Sequence, residues 1–380
     1  MASRNPPKRV AVLINVRAPY EEDVIRGVLR YSDQAGPWQF IGTPEMPGIE
    51  FEKVDLTQVD GVIGGFFRRE WADALAAANV PAVNTVNALA DIPLPRVGPD
   101  DRAVAQMAAD HLLERGFPQF GFVAPGDWWY VQRRREAFAQ AVREHDRPCY
   151  ELAVSAHHHE PDAQSVRRWL DELPKPIGIM APNDLTGRQV INRAAEMGLR
   201  VPDDVAVVGV NNQHWVSAMA ATPLSSIELD GEKTGYRAAQ VLAGLMAGES
   251  PPPPQWILPV RVVARRSTDI TVTQDDLVTQ AMRFIRNHCA QTIHVEDVLD
   301  EVGVSRTTLE KRMKQAVGKT PQVAIFHAQV ERAKKMLVDS DATIDEISRA
   351  CGFRRQSRLS VVFKRLTGMT PGQYRQQRRA

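Results

Sequence analysis

At 380 residues, 43% of them hydrophobic, the chain is long enough for two or three domains with real cores. Its net charge of +1 conceals a split: residues 271–380 hold 19 Lys+Arg against 12 Asp+Glu, net +7, and residues 1–270 hold 28 against 34, net −6. A basic end suggests a polyanionic partner. Three scattered cysteines, Cys149, Cys289 and Cys351, exclude a disulfide framework, no apolar run reaches membrane-spanning length, and "MASRNPPKRV" has no secretory h-region, so a cytoplasmic protein is expected.

In chain order, "RVAVLINV" (9–16), "VDGVIGGF" (59–66), "PAVNTV" (81–86), "QFGFVAPG" (119–126), "PIGIMAPND" (176–184) and "VAVVGVNN" (205–212) are apolar, turn-bounded runs. Continuous runs of this length suit strands covered on both faces, the parallel-sheet case. Helical patterns alternate with them. "EEDVIRGVLRYS" puts Val24, Val28 and Tyr31 on one face, and "DRAVAQMAADHLLERG" does so for Val104, Met107, Ala108 and Leu112, with Gly116 as C-cap. This alternation predicts a doubly wound α/β architecture with parallel sheets.

Ligands of such sheets bind beyond the carboxyl ends of the strands. The first such turn, "NVRAPYEED", lacks the Gly-x-Gly-x-x-Gly of a dinucleotide site, and no nucleophile–base pairing stands out, so no enzyme and no cofactor are expected. Strand ends instead supply Asn15, Asn183 with Asp184, and Asn211 with Asn212, while "DWWYVQRRREAF" follows Gly126. Amides, a carboxylate, an arginine and flat aromatics suit a sugar, whose hydroxyls take paired donors and acceptors and whose C–H faces take apolar surface. Each also has a plainer reading: Asn183 or Asp184 as a helix N-cap, Asn211–Asn212 as turn residues, Trp128–Tyr130 as packing, and most of Arg133–Arg135 as solvated. The "HHHE" run at 157–160 reads as a solvated loop rather than a metal site.

The segment "PNDLTGRQVINRAAEMGLRVPDDVAVVGVNN" (182–212) resembles LacI/GalR-type sensor domains, as do "RVGPDDRAVAQMAADHLLERGF" (96–117), "LSSIELDGEKTGYRAAQVLAGL" (224–245) and "ILPVRVVARRST" (257–268). The resemblance implies a two-lobed, periplasmic-binding-protein-like sensor over residues 1–270. By position it implies ligand contacts at Asn15, Tyr20, Arg134, Asn183, Asp184 and Asn211, the last standing where relatives often carry Asp. An exported sugar-binding protein is the rival reading, opposed by the missing signal and the basic end.

Beyond a Pro-rich excursion, "AGESPPPPQ" (247–255), the strand pattern ends near "VVARRSTDITVTQDD" and helices begin. There the chain repeats itself. "KQAVGKTP" (314–321) and "KRLTGMTP" (364–371) share Lys-x-x-x-Gly-x-Thr-Pro, and "VEDVLDEVGV" (295–304) pairs with "IDEISRACGF" (344–353). Each copy reads as helix, tight glycine turn and second helix, predicting two helix-turn-helix motifs at about 295–316 and 344–366, joined by "VAIFHAQVERAKKMLV". "ATIDEISRACGFRRQSRLSVVFKRLTGMTPGQYR" (342–375) resembles the AraC/XylS DNA-binding domain, implying an all-α DNA-binding domain over 271–380. The first recognition helix offers Ser305, Arg306, Thr307, Thr308, Lys311 and Arg312; the second offers Arg354, Arg355, Gln356, Ser357 and Arg358, with Lys364 toward phosphate. These side chains match base edges and phosphate oxygens of a DNA duplex.

The combination implies a DNA-binding transcription factor controlled by a small effector, D-xylose or another monosaccharide. The partners it implies are a double-stranded operator, a second copy through the sensor, and RNA polymerase if it activates; no membrane is expected.

Overall fold

Strand β1 (Arg9–Leu13) opens a four-stranded parallel sheet, ordered β2-β1-β3-β4, with β2 at Gln39–Ile41, β3 at Gly61–Gly64 and β4 at Ala82–Asn84. A computed structural model describes residues 7–379 apart from 17, 36–37, 42–50, 52–53, 155–161, 271 and 274; the "HHHE" run falls outside the described residues. Helices α1 (Pro19–Ala35) and α2 (Arg69–Ala77) complete the βαβ path of this first lobe. The chain then passes through β5 (Val97–Pro99) into a second lobe: α3 (Asp101–Leu113), β6 (Phe120–Pro125), α4 (Trp129–Arg143), β7 (Cys149–Val154), α5 (Ala163–Glu172), β8 (Ile177–Met180), α6 (Asp184–Glu196), β9 (Val205–Val210), α7 (His214–Ala218) and β10 (Ser225–Glu228). Helix α8 (Gly231–Met246) returns to the first lobe, and β11 (Gln255–Ile257) and β12 (Arg261–Val263) cross back. The second sheet runs β12-β10-β9-β8-β6-β7, parallel except for β12.

The apolar runs form strands because both sheet faces are covered: β3, β6, β8 and β9 are buried at every residue. Helix α8 seats on α1 closely enough that a Cβ on Gly27, Gly231 or Gly235 would collide with the facing backbone. The lobes are thus joined by three chain crossings, two of which pair as the parallel strands β5 and β11. Val24 and Val28 are buried as the periodicity predicts, while Tyr31 is half-buried between Trp38 and Tyr236. Gly116 takes φ +79°, the left-handed turn expected at the end of α3.

These lobes form one compact unit, Met1–Asp269; Ile270–Ala380 form a second. The second unit is helical: α9 (Asp276–His288), α10 (Val295–Val302), α11 (Arg306–Val317), α12 (Pro321–Asp339), α13 (Ile344–Ala350), α14 (Gln356–Thr367) and α15 (Pro371–Arg379). It holds two apolar clusters. One gathers Val278, Ile285, Val298, Leu309 and Met313; the other gathers Leu337, Ile347, Phe353, Leu359 and Phe363.

The repeated phrase is a double cap. Gly318 and Gly368 end α11 and α14 in the left-handed conformation (φ +67° and +79°), which L side chains adopt only with strain. Thr320 and Thr370 then accept from the amides three residues on, Val323 and Gln373, and each proline opens the next helix at a position needing no N–H. The proline therefore starts a helix here, as well as barring continuation of the one before. Among the described residues, no helix is long and apolar enough to cross a membrane.

Candidate effector cleft and nucleic-acid interface

Beyond the carboxyl ends of β1 in the first lobe and of β8 and β9 in the second stand Asn15, Asn183 with Asp184, and Asn211 with Asn212, as expected from sequence. Arg134, on α4, is only 4% exposed. Its Nε donates to Asp101 Oδ1 at 2.8 Å, its Nη1 donates to the Pro182 carbonyl at 2.5 Å, and its guanidinium lies over the Tyr130 ring at 5.1 Å. Asp101 is fully buried at the first turn of α3, and its other oxygen accepts from Asn87 Nδ2 at 2.6 Å. Burial pushes the Asp101 carboxyl up, and the Arg134 charge pulls it back. One arginine therefore ties together α3, α4 and the turn leading into α6.

Asn183 is the N-cap of α6, accepting from Thr186 N at 2.9 Å, so the plainer of its two readings describes its oxygen. Asp184, expected as a ligand acceptor, is engaged within the protein. It is fully buried, with Oδ2 accepting from Gln213 N and Oδ1 from Ser226 Oγ, both at 2.6 Å. It fastens the ends of β9 and β10 from within the lobe, and burial pushes its pKa up to about 7 against those two hydrogen bonds. Tyr20 is buried, donating to the Thr85 carbonyl at 3.3 Å, and burial raises its hydroxyl pKa. Asn15 is half-buried just beyond β1. Asn211 and Asn212 both have positive φ, +102° and +50°, as turn residues, and Asn212 also bonds Ser226, Glu228 and Arg265.

Several residues here were not singled out by sequence reasoning. Asn84 Nδ2, at the end of β4, and Asn87 Oδ1, beyond it, are buried without a hydrogen-bond partner among the described residues. Phe67 meets Trp128 edge-on, ring centroids 5.7 Å apart, one ring from each lobe. The α4 amides of Trp129 and Tyr130 donate to the carbonyls of Ala88 and Asn87. Beside this joint Arg96 and Arg133 both lie over Trp129, at 4.4 and 4.7 Å, and Arg133 also lies over Trp256 at 4.6 Å. Trp129 is thus hinge packing. The signal missed was the run "PDDR": Asp100 is the N-cap of α3, accepting from the amides of Arg102 and Ala103, but nothing local marks Asp101 as buried.

In the helical unit, α10–α11 and α13–α14 form the two helix-turn-helix pairs, with Gly303 and Gly352 at positive φ in their turns. The two copies present their charges differently. In the first, Ser305 caps α11 and its Oγ meets Thr308 Oγ1 at 2.8 Å, so both hydroxyls serve the helix start. Arg306 pairs with Glu310 at 3.0 Å and Glu296 at 3.3 Å. Arg312, expected at DNA, instead grips Asp275 through two 2.6 Å hydrogen bonds. Thr307 and Lys311 remain exposed. In the second copy Arg354, Arg355, Gln356, Ser357 and Lys364 are all exposed, and among the described residues no acid pairs with those cations. Arg358 lies over Phe326 at 5.2 Å, a cation–π contact, while the adjacent Leu359 is buried in the apolar cluster.

A two-lobed sensor with a polar cleft, joined to a basic unit carrying two helix-turn-helix motifs, defines an effector-controlled transcription regulator. Residues 109–268 match the model of the periplasmic binding protein-like domain, and residues 298–377 match that of a helix-turn-helix domain. The Xylose operon regulatory protein of Escherichia coli K12 is 32% identical over 97% of this chain and 96% of its own; that of Haemophilus influenzae is 30% identical over 97% and 98%. A solved structure described as a xylose-binding transcription activator superposes with a TM-score of 0.74 at 30% identity, covering 99% of both chains. The chain belongs to the xylose operon regulatory protein family.

Proposed function

We propose that this regulator takes D-xylose as its effector and activates transcription when the sugar closes the cleft between the lobes. The observation that carries the reading is that the likeness to xylose operon regulators runs through sensor and DNA-binding unit alike, over 97% of the chain. The cleft suits a small neutral polyol. Arg134, Asn15, Asn183 and Asn211 provide donors and acceptors at the strand ends, Asn84 and Asn87 hold buried polar atoms without protein partners, and Phe67 and Trp128 offer flat apolar faces. Tyr20 and Asp184 shape the walls rather than holding sugar by their own oxygens. On this reading two sensors dimerise, closure repositions two helical units on an operator, and the complex recruits RNA polymerase in the cytoplasm. The chain has no catalytic role and needs no cofactor.

The test is thermal unfolding with D-xylose, L-arabinose and D-glucose. D-xylose at 100 times its dissociation constant should add about 2.7 kcal/mol to sensor stability. A shift with another sugar only would overturn the choice of effector. No shift with any sugar would overturn the sugar reading itself.

A further inference from the structure

The outer face of α14 carries one residue that fits neither phosphate binding nor polar base contact. Val361 is 63% exposed, while its neighbours Leu359, Val362 and Phe363 are buried in the apolar cluster beneath. Helical spacing groups Ser357, Val361, Lys364 and Arg365 on one exposed stripe, at i−4, i, i+3 and i+4. Arg354 and Arg355 stand just before its start. The fifty-residue offset between the copies, which aligns Lys314 with Lys364 and Gly318 with Gly368, aligns Val361 with Lys311. Valine is a poorer helix former than lysine, so helix stability does not account for it. A lone valine among hydroxyl and cationic groups is also too small and too charged a setting for an apolar protein interface.

We propose that Val361 reads the 5-methyl group of a thymine in the major groove, giving the second helix-turn-helix motif a preference for T at one position. This rests on the DNA-binding reading of the helical unit. In the major groove the thymine methyl is the one apolar group that a base edge presents. Against guanine, adenine or cytosine at the same place, the valine would strip water from N7, O6 or an exocyclic amine without replacing its hydrogen bond, so discrimination has a definite sign.

The experiment selects a duplex from a randomised pool with the full-length protein, then replaces each thymine of the protected segments by deoxyuridine. Affinity is measured at one fixed salt concentration for the native chain and for Val361→Ala. At one thymine, loss of the methyl should weaken native binding about fourfold, the value of one buried methyl-sized group. The same change should leave Val361→Ala unaffected. Two results would overturn the assignment: no uridine substitution matters, or one matters equally in both proteins. It also falls if Val361→Ala binds every duplex like the native chain yet loses transcription, because the side chain then serves polymerase or a second copy. Selection of no duplex would fault the DNA-binding reading itself, a different failure from a duplex indifferent to its methyls.

Discussion

Replacing Arg134 by Leu should destabilise the sensor more than any other change in the cleft. The guanidinium is 4% exposed and bridges Asp101 and the Pro182 carbonyl. Its removal leaves a fully buried carboxylate whose remaining side-chain hydrogen bond among the described residues comes from Asn87. Breaking a buried pair from one side costs about 3–5 kcal/mol, chiefly for the stranded charge. That origin makes two further outcomes necessary. Asp101→Asn in the same chain should recover part of the loss, because the charge is gone while the hydrogen bond from Asn87 can remain. The deficit should also grow with pH: the Asp101 carboxyl, already pushed up by burial and now without Arg134, sits above its unfolded value, so its stability contribution is full below that value and is lost as pH rises through the folded one. Urea unfolding followed by tryptophan emission is the assay. All seven tryptophans, Trp38 to Trp256, lie in the sensor unit, so the intact chain reports on that unit alone. An unchanged urea midpoint for Arg134→Leu, or an Asp101→Asn change that adds to the damage, would mean that Arg134 does not compensate the Asp101 charge.

Asp184→Asn should keep the acceptor for Gln213 N and a partner for Ser226. The native carboxyl has a folded pKa of about 7, above the usual carboxylate range, so native stability falls as pH rises toward 7 while the variant stays flat. Denaturant titrations should show the variant gaining on the native chain by at most about 1.4 kcal/mol per pH unit; parallel curves would remove the carboxyl from this role. Gly235→Ala should lower sensor stability by about 1–3 kcal/mol, because its Cβ meets the Val24 backbone across α1 and α8, and a neutral result in the same assay would mean that the helices separate freely. In binding to a selected duplex, Arg355→Ala should weaken discrimination at one base about tenfold, whereas Arg306→Ala should cost less, since Glu296 and Glu310 already hold that side chain. Equal losses would show that the acids release Arg306 without cost.

The strands and the duplicated module were legible because their signals are local. Residues such as Val205–Val210 declare a doubly covered strand by composition alone, and Gly318 and Gly368 mark turns that need positive φ. The side-chain roles were less legible, because partners lie far apart in sequence. Asp101 finds Arg134 across 33 positions and Arg312 finds Asp275 across 37, so no periodicity separates a paired arginine from one free for DNA. Asp184 stands beside Asn183 at a strand end, and its hydrogen bonds to Gln213 and Ser226, 29 and 42 positions away, are invisible in sequence. The hinge stack of Arg96, Trp129, Arg133 and Trp256 joins three chain segments; the aromatic run at 128–130 pointed to packing, but nothing in sequence names Arg96 and Trp256 as its partners.

The most direct test of the whole account is transcription in vitro from a promoter carrying the selected duplex, with purified RNA polymerase and the full-length regulator, as D-xylose is titrated. Transcript should rise saturably with D-xylose at the concentrations that shift sensor stability, and should not rise with D-glucose. Transcript levels indifferent to D-xylose while the regulator occupies its site would contradict that expectation, because effector and DNA would then bind the same chain without coupling.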